Sequence, residues 1–322
     1  MGRKLSCMDI GTSKLKVAAV RNNKLEDFKT YDIPDDIVRN GALVAYNAMS
    51  AFLKMNVNKE LKTKDVAVVL PDEITFIQHT EMPIMTDKQV SVNLPYEFSN
   101  LIPENEDEYL YDYSVLSIDQ EAGTMSVIAA AVRRELLDNY RDMFQHAGMN
   151  IVKAVPKAVC LQKFVRNCLP EGKDTAILDI GYCASKIDIF RGGFYEVSRT
   201  IELGMRDIIA AAAKVLNCDV HVAPGYLSVN KDDVQQSREC RSIYSAITTE
   251  VSRALNYYIY ENKGNTLDKL YLCGGGTSFA PLVDEIRESI PLDLAFMSEA
   301  AADFGKAAND SPAAIGIGLE ER

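Results

Sequence analysis

The same short pattern occurs twice in this chain, at residues 9–20 and at residues 179–190. Both copies begin with Asp-Ile-Gly, and a lysine follows at the same offset, as Lys16 and as Lys186. A single Asp-Ile-Gly would be uninformative, because three residues recur by chance in many chains. Two copies in matching surroundings predict that the chain is built from a duplicated structural unit.

The segments around the two copies match as well. Each copy follows a short apolar run and continues into a second strand pattern, which ends in Arg21-Asn22-Asn23 or in Arg191-Gly192-Gly193. Asn and Gly accept the positive φ angles that tight hairpins require. A third strand pattern follows, at 24–31 and at 194–201. Both halves are therefore predicted to begin with strand, Asp-x-Gly turn, strand, hairpin and strand.

A carboxylate beside a glycine at a hairpin tip suits the binding of a phosphorylated ligand. The glycine lets the backbone approach the ligand closely, and the backbone N–H groups can hold phosphate oxygens. The carboxylate, of Asp9 or of Asp179, can hold Mg²⁺ through water, and the ion offsets the charge repulsion from phosphate. Two such tips could grip a polyphosphate from both sides, although each taken alone also fits an ordinary hairpin turn.

A third pattern, Leu267–Phe279, strengthens the ligand-binding interpretation. It combines an apolar strand with the glycine run 274–276, then Thr277 and a helix predicted from about residue 281 to 290. Bare backbone at the start of a helix lets a phosphate or a flat ring lie against it. A tight turn between a strand and a helix does not by itself require three consecutive glycines.

Composition restricts the partners of this chain. With 35 basic and 46 acidic side chains, the formal net charge is −11, which disfavours nucleic acid and direct binding to anionic lipid. The seven cysteines include no Cys-x-x-Cys pair, which favours reduced thiols over a disulfide framework or a zinc site. No apolar run approaches the ~20 residues of a membrane-spanning helix, and no leader pattern stands at the start. We therefore expect a cytoplasmic protein without direct membrane insertion.

These three motifs, in this order, resemble those of the actin-like ATPase superfamily. The resemblance makes Asp9 to Lys16 the first phosphate loop, Asp179 to Lys186 the second, and Gly274 to Thr277 the adenosine loop. It implies an α/β, two-lobed actin-like ATPase fold with a duplicated ribonuclease H-like core that binds ATP and Mg²⁺. The implied metal-binding residues are Asp9 and Asp179. The implied nucleotide contacts are Gly11, Thr12, Ser13, Lys16, Gly181, Tyr182, Gly274, Gly275, Gly276 and Thr277.

Within that superfamily the chain resembles most the PilM family of type IV pilus machines, with the division protein FtsA next. The resemblance spans essentially the whole chain, and its middle block separates PilM from its relatives. It is carried by Met82-Pro83-Ile84-Met85-Thr86, Leu101-Ile102-Pro103, Asp112-Tyr113-Ser114-Val115-Leu116, residues 129–132, Ala147-Gly148-Met149, Ser198-Arg199-Thr200-Ile201 with Gly204, and residues 313–319. It implies a small inserted α+β subdomain, as in PilM and FtsA.

The residue pattern of the middle block agrees with a small separate subdomain. Thr86-Asp87-Lys88-Gln89 is a capping box, and apolar residues then recur at helical spacing. Pro95 interrupts this pattern, so that the helix either kinks there or begins there. Two strands are predicted at about 112–118 and 124–132, and a second helix from about Arg134 to His146.

The predicted division of the chain follows the repeat and the resemblance. Residues 1–80 and 151–168 form the first core subdomain, residues 81–150 the insertion, 169–205 and 265–322 the second core subdomain, and 206–264 its outer helical part. In that outer part we expect Tyr257, Tyr258 and Tyr260 to pack at helical spacing. We expect the acidic stretch Glu104 to Asp112 to be a solvated loop.

Three departures from the superfamily pattern modify these expectations. Active members place a carboxylate or an amide side chain on the segment between the halves, where this chain has Val155-Pro156-Lys157. Valine can neither orient water nor accept a proton, which favours nucleotide binding over fast turnover and leaves the catalytic residues unassigned. Pro224 stands where relatives carry a ribose-binding Glu, so the adenosine contacts are less defined than the phosphate contacts. The sequence ends four residues after Gly318, without the membrane-binding helix of FtsA.

The resemblance implies an ATP-binding scaffold of a type IV pilus machine, held at the inner face of the membrane by a protein partner. The implied partner is the cytoplasmic tail of a PilN-like inner-membrane protein, and ATP hydrolysis is expected to be slow or absent. An FtsA-like division filament protein is the first alternative, and its membrane-binding helix is missing here. A small-molecule kinase on the same core is the second, and its substrate-activating Asp and Cys cluster are missing. The sequence leaves hydrolysis and self-association open.

Overall fold

A computed structural model describes residues 4–39, 41–102 and 106–320 of this chain. The chain divides into two compact units. Unit 1 comprises the residues up to Asn167 together with those from Ala313 onward, and unit 2 comprises Cys168–Pro312. The subdomain boundaries predicted from the sequence divide the chain more finely than this, and they stay predictions.

The strands and helices are numbered in chain order. The strands are β1 (Leu5–Ile10), β2 (Lys14–Arg21), β3 (Lys24–Asp32), β4 (Val38–Arg39), β5 (Ala42–Leu43), β6 (Asp65–Leu70), β7 (Thr75–Pro83), β8 (Tyr109–Asp119), β9 (Thr124–Arg133), β10 (Asn150–Pro156), β11 (Thr175–Ile180), β12 (Ser185–Arg191), β13 (Phe194–Ile201), β14 (Lys269–Cys273) and β15 (Asp293–Phe296). The helices are α1 (Tyr46–Phe52), α2 (Asp87–Glu97), α3 (Arg134–His146), α4 (Lys157–Cys168), α5 (Met205–Leu216), α6 (Ala223–Ser228), α7 (Arg238–Glu261), α8 (Ala280–Ser289), α9 (Met297–Ala300), α10 (Lys306–Asp310) and α11 (Pro312–Gly316).

Unit 1 is built on a five-stranded sheet in the order β10-β6-β1-β2-β3. β1 pairs antiparallel with β2 and parallel with β6, and β10 pairs parallel with β6. Almost every residue of β1 and β6 is buried, as is typical of central strands that are covered on both faces. The β2–β3 hairpin turns through Asn22 and Asn23, with φ angles of 49° and 59°, which confirms the predicted turn.

Unit 2 repeats this sheet with the strand order β13-β12-β11-β14-β15. Taken from the opposite edge, β15, β14, β11, β12 and β13 correspond to β10, β6, β1, β2 and β3, with the same parallel and antiparallel pairings at β11. Its hairpin turns through Gly192 and Gly193, with φ angles of 56° and 89°. The duplicated α/β core predicted from the two Asp-Ile-Gly copies is therefore confirmed.

Each five-stranded sheet has its own apolar core. In unit 1, Met8 and Val68 of the sheet pack with Tyr140 and Phe144 of α3. In unit 2, the sheet packs against α5, α7 and α8 through the buried residues Leu178, Ile187, Ile208, Tyr244, Val251, Leu282 and Ile286. Burying one large apolar side chain contributes about 1.5–3 kcal/mol, so that these helices are fixed by their apolar faces.

A three-stranded antiparallel sheet, in the order β7-β9-β8, forms the middle block. α2 covers one face of it, with Leu94 and Phe98 packed against Met125 and Val127. α2 begins directly after Thr86, whose N–H and hydroxyl both donate to Gln89 Oε1, at 2.9 and 2.8 Å, so the predicted capping box is present. The sequence left open whether this helix kinks or begins at Pro95. In the structure the helix begins at Asp87, and the proline lies in its last turn.

Two predictions for individual segments are wrong. Pro103, Glu104 and Asn105 lie outside the described residues, but from Tyr109 onward the predicted solvated loop is strand β8, and Tyr109 is buried. Of Tyr257, Tyr258 and Tyr260 in α7, only Tyr258 is buried, whereas Tyr257 and Tyr260 are 68% and 78% exposed. Helix positions three apart share a face, so Tyr257 and Tyr260 point to one side of the helix and Tyr258 points to another.

Candidate functional site

The first phosphate loop is a tight tip between β1 and β2. The N–H of Gly11 donates to the carbonyl of Lys14 at 3.0 Å, which closes the tip around Thr12 and Ser13. The carbonyl of Ser13 accepts the N–H of Ile33 at 2.9 Å, which ties the tip to the chain after β3. Thr12 and Ser13 are half-buried, so their hydroxyls and N–H groups are positioned and still accessible.

Asp9 and Lys16 face each other at the base of this tip. They are opposite in the antiparallel register of β1 and β2, and Lys16 Nζ lies 3.5 Å from Asp9 Oδ2. A Cβ at Gly11 would stand 2.8 Å from Lys16 Nζ, so the glycine leaves the space that the ammonium group occupies. The loop therefore holds one carboxylate and one ammonium group within contact distance, both largely buried.

Neighbouring titratable groups of unit 1 are held in their neutral forms. Burial raises the pKa of Tyr140, and the nearby Tyr46, Glu73 and Asp9 raise it further, so that the phenol stays protonated. Burial also raises the pKa of Cys160 well above its usual range. A buried neutral thiol is a poor nucleophile, so the residues around Asp9 favour binding over covalent chemistry.

The second phosphate loop, between β11 and β12, has the same construction. The N–H of Gly181 donates to the carbonyl of Ala184 at 3.1 Å, and a Cβ at Gly181 would stand 2.5 Å from that oxygen. Asp179 is half-buried at the end of β11, opposite Lys186 in the register with β12. Tyr182 at the tip is 38% exposed. The two phosphate loops therefore have the same backbone hydrogen bond, although their sequences differ directly after Asp-Ile-Gly.

The start of α5 supports the second loop, a contact that sequence reasoning missed. The N–H groups of Met205 and Arg206 donate to the carbonyls of Gly181 and Tyr182, at 3.1 and 2.8 Å. The preceding Gly204 fits against the loop, because its Cβ would stand 2.6 Å from the Tyr182 oxygen. The glycine after β13 was a visible signal, but its partner could not be named without the fold.

The glycine run 274–276 lies directly against the second loop. Gly274 has a φ of +89°, and its Cβ would stand 2.2 Å from Asp179 Oδ1. A Cβ at Gly276 would stand 2.2 Å from Cγ2 of Ile180. Packing therefore explains two of the three glycines. Gly275 is exposed, and among the described residues no heavy atom lies within 4 Å of where its Cβ would stand.

Two further residues hold the glycine run in place. The carbonyl of Asn309 accepts the N–H of Gly274 at 2.7 Å, while its side-chain Oδ1 accepts the N–H of Ser298 at 2.6 Å. The hydroxyl of Thr277 donates to the carbonyl of Gly274 at 2.7 Å, so this side chain closes the turn. Asn309 was missed by sequence reasoning, since nothing near it in the chain marks it.

The predicted site residues fall into two sets. Unit 1 brings together Asp9, Gly11, Thr12, Ser13 and Lys16. Unit 2 brings together Asp179, Gly181, Tyr182 and the glycine run with Thr277. The described residues contain no cluster of three or more His, Cys, Asp or Glu side chains that could hold a metal ion by themselves. Single carboxylates beside phosphate-binding backbone nevertheless fit Mg²⁺, which usually keeps several waters and takes its other ligands from the phosphates.

A family model described as type IV pilus assembly protein PilM matches residues 7–302. The chain belongs to the PilM family. This membership agrees with the duplicated core and the middle block, and it favours the pilus assembly interpretation over a division filament protein or a small-molecule kinase.

Solved structures show the same fold. A structure titled PilM-PilN type IV pilus biogenesis complex matches with a TM-score of 0.81 and 20% identity, over 99% of this chain and 100% of that chain. The ethanolamine utilization protein EutJ from Carboxydothermus hydrogenoformans matches with a TM-score of 0.58 and 11% identity, over 98% and 89%. MreB5 of Spiroplasma citri bound to ADP matches with a TM-score of 0.53 and 11% identity, over 95% and 94%. The actin-like fold expected for a PilM family member is therefore confirmed.

Across residues 4–39, 41–102 and 106–320, no helix is both long and apolar enough to cross a membrane.

Proposed function

We propose that this PilM family protein binds Mg-ATP through its two phosphate loops and serves as a scaffold for type IV pilus assembly. The observation that carries the nucleotide proposal is the pair of equivalent loop tips, each with an Asp-Ile-Gly and the same closing hydrogen bond. Exposed Gly275, which packing does not require, supports a ligand beside the second loop. The ADP-bound MreB5 structure, which shares the fold, supports the same class of ligand.

Within this proposal, Asp9 and Asp179 hold Mg²⁺ through water, and the ion supplies charge neutralisation for the phosphates. Thr12 and Ser13 contact phosphate through the backbone and side-chain donors at the tip of the first loop, and Lys16 does so from its base. The backbone of Gly181 and Tyr182 does so from the second loop. The run Gly274, Gly275, Gly276 and Thr277 offers bare backbone to the adenosine.

The nucleotide proposal is tested by calorimetry with Mg-ATP on the full chain. Asp179→Ala is expected to weaken binding about tenfold or more, since it removes a metal-binding carboxylate. Asp303→Ala, at an exposed acid outside both loops, is the matched control and should bind like the wild type. Equal affinity of the Asp179→Ala variant and the wild type would remove the site assignment.

Slow turnover is part of the proposal. β10 ends at Pro156 and α4 begins at Lys157, so the segment Val155-Pro156-Lys157 stands at the end of a strand in unit 1, in register with Val69 and Leu70 of β6. Its side chains offer no carboxylate or amide to orient water. Steady-state phosphate release should therefore fall far below ~10 s⁻¹, the median for enzymes generally. A rate near that value would revive the kinase alternative.

The second part of the proposal concerns the partner, the cytoplasmic tail of a PilN-like inner-membrane protein. Such a tail would locate the protein in the cytoplasm at the inner face of the membrane. α2 covers one face of the three-stranded sheet, while the opposite face carries the buried Ile128 and the half-buried Ala130 between the exposed residues His79 and Asp112. An extended tail could pair with an edge strand here and bury a few apolar side chains on this face. The solved PilM-PilN complex supports a partner of this type.

Charge complementarity narrows the chemistry of the tail. Residues 81–150 carry thirteen acidic and four basic side chains, which is a net charge of −9 within a chain of −11. Glu81 and Asp112 lie on the proposed docking face and are exposed. A tail with basic residues would be captured faster by this surface and would bind less well at high salt.

Point substitutions test the partner site better than a deletion, since removal of residues 81–150 would also remove α3 from the core of unit 1. Asp112→Lys places a cation on the docking face and should weaken the binding of a PilN-like N-terminal peptide at least fivefold. Glu121→Lys makes the same charge change in the turn after β8 and should have little effect. Equal binding by both variants would place the partner site elsewhere.

A further inference from the structure

A buried carboxylate distinguishes the second phosphate loop from the first. In unit 2, Lys186 Nζ lies 3.1 Å from Asp188 Oδ1, and the Asp188 side chain is fully buried while that of Lys186 is 11% exposed. In unit 1, the position two residues beyond Lys16 is occupied by the buried Ala18. Unit 2 therefore has a buried acid at a position of the sheet where unit 1 has an alanine.

Strand geometry brings this carboxylate to the phosphate-loop aspartate. Asp179 and Lys186 are directly opposite in the β11–β12 register, as Asp9 and Lys16 are in the first loop. Side chains that are directly opposite share a face of the sheet, and so do residues two apart along one strand. Asp179, Lys186 and Asp188 therefore lie on one face of the unit 2 sheet. The 3.5 Å contact in unit 1 shows that a lysine at this position can reach the aspartate opposite it.

The two sets have different net charges. One carboxylate and one ammonium group in unit 1 sum to zero, whereas two carboxylates and one ammonium group in unit 2 leave one negative charge. We propose that Asp188 is a positioning residue that offsets the charge of Lys186, so that Asp179 keeps its attraction for Mg²⁺. On this account the second loop is the stronger metal-binding loop. The inference rests on the proposed binding of Mg-ATP and names which carboxylate dominates it.

A purely structural role for Asp188 makes a different prediction. A buried ion pair can often be replaced by apolar residues without loss of stability, and Ala18 shows that the equivalent strand position of unit 1 needs no acid. A structural role would change folding stability and lower nucleotide binding with and without metal alike. The positioning role changes the metal dependence of binding specifically.

The experiment measures the Mg²⁺ concentration that gives half-maximal binding of a fluorescent ATP analogue, with the melting temperature recorded beside it. Asp188→Asn leaves Lys186 without its anionic partner and should raise that concentration about tenfold, because the uncompensated ammonium group then opposes a metal ion beside Asp179. Metal-free binding of the analogue should stay unchanged or tighten, since the released ammonium group attracts phosphate. Lys186→Met combined with Asp188→Asn removes the released charge and should restore the wild-type Mg²⁺ dependence.

Unchanged Mg²⁺ dependence in Asp188→Asn, or no recovery in the double variant, would overturn the inference. Wild-type protein that binds no Mg-nucleotide would overturn the proposed function, and this inference with it. If Asp188→Asn does not fold, the ζ-ammonium resonance of Lys186 in the wild type decides, assigned by its loss in Lys186→Arg. The resonance should keep its position when Mg-nucleotide is added, and transfer of Lys186 from Asp188 to phosphate would overturn the proposal.

Discussion

The two five-stranded sheets share their strand order and the Asp-Ile-Gly tip, but they differ in the turn after the equivalent strands β6 and β14. In unit 1 this turn is Pro71-Asp72-Glu73-Ile74, and in unit 2 it is Gly274-Gly275-Gly276-Thr277. Both turns contain a short 3-10 helix, but the residue before it has a φ of −69° at Pro71 and of +89° at Gly274, so the backbone and the side chains both differ. The difference indicates that the repeat preserves the scaffold and that unit 2 alone presents bare backbone at this place.

The largest effect is expected where the comparison depends on that bare backbone. Gly274→Val would put a β-branched side chain at a φ of +89° and into contact with Asp179 Oδ1, and it should cost unit 2 about 3 kcal/mol or more. Gly275→Ala, one residue on, meets open space and should change stability by less than about 0.5 kcal/mol.

Thermal unfolding of both variants gives the comparison, with hydrogen exchange of the β11 and β14 amides to assign the loss to unit 2. If Gly275→Ala weakens binding of the ATP analogue while its melting temperature is unchanged, the exposed glycine has a ligand-related role. Equal melting temperatures for Gly274→Val and the wild type would contradict the packing argument.

The second effect concerns what fixes each hairpin. In unit 2 the buried Asp174 accepts hydrogen bonds from the N–H of Gly192 at 3.1 Å, the hydroxyl of Tyr258 at 3.0 Å and the N–H of Thr266 at 3.2 Å. In unit 1 the hairpin residue Asn23 accepts one bond at the surface, from the N–H of Glu320 at 2.7 Å. One buried carboxylate therefore connects three segments of unit 2, whereas a single hydrogen bond at the surface holds the hairpin residue Asn23 of unit 1.

Asp174→Ala should cost about 3 kcal/mol, because buried donors lose an ionised acceptor. Asn23→Gly keeps the positive φ and removes only an exposed acceptor, so it should cost about 0.5–1 kcal/mol. Urea unfolding measures both, and a similar loss in the two variants would show that Asp174 is not the stronger connection.

Local patterns sufficed for the elements that repeat. The strand–turn–strand copies were predictable because apolar alternation, Asn-Asn or Gly-Gly turns and the Asp-Ile-Gly tip are all short-range signals. The same holds for α3, whose predicted bounds, Arg134 to His146, are those observed. Apolar residues at helical spacing indicate such a helix without any knowledge of the fold.

The supporting contacts of the site were not predictable in this way. Gly204 matters because α5 returns to the second loop, and Asn309 matters because a segment more than 30 residues later passes the glycine run. Asp188 reads as an ordinary strand residue until the register places it on the face of Asp179. The predicted packing of Tyr257 and Tyr260 was wrong for a related reason, because helical spacing alone does not say which side of α7 is covered.

The third effect is on metal binding and sharpens the comparison of the two loops. Asp179→Asn should raise the Mg²⁺ requirement of nucleotide binding about tenfold more than Asp9→Asn does, because Lys16 already neutralises Asp9 at 3.5 Å. Titration of Mg²⁺ against a fixed amount of ATP analogue measures both variants under the same conditions. Equal shifts would mean that the loops share the metal evenly, in conflict with the role assigned to Asp188.

The smallest effect concerns surface contacts that secure the edge of unit 1. Glu60 Oε2 accepts hydrogen bonds from the hydroxyl of Tyr31 at 2.7 Å and from Lys29 Nζ at 3.0 Å. The hydrogen bond from Tyr31, followed by that from Lys29, holds the pKa of Glu60 below its ordinary value of 4.5. In unit 2, the hydrogen-bonded ion pair with Lys173 is the main cause that lowers the pKa of Asp268 from its ordinary value of 3.8.

A carboxylate whose pKa is lowered by folding stabilises the folded state above its unfolded pKa, and that contribution disappears as the pH falls through the folded value. The wild type should therefore melt slightly above Glu60→Gln at pH 7, and the difference should shrink below about pH 4.5. Because both contacts of Glu60 are exposed, the difference in melting temperature should be small and should decrease with added salt. Tyr31→Phe keeps Lys29 but removes the larger cause, so it should reproduce most of the change. A difference that persists at pH 3 would show that Glu60 acts through packing and not through its charge.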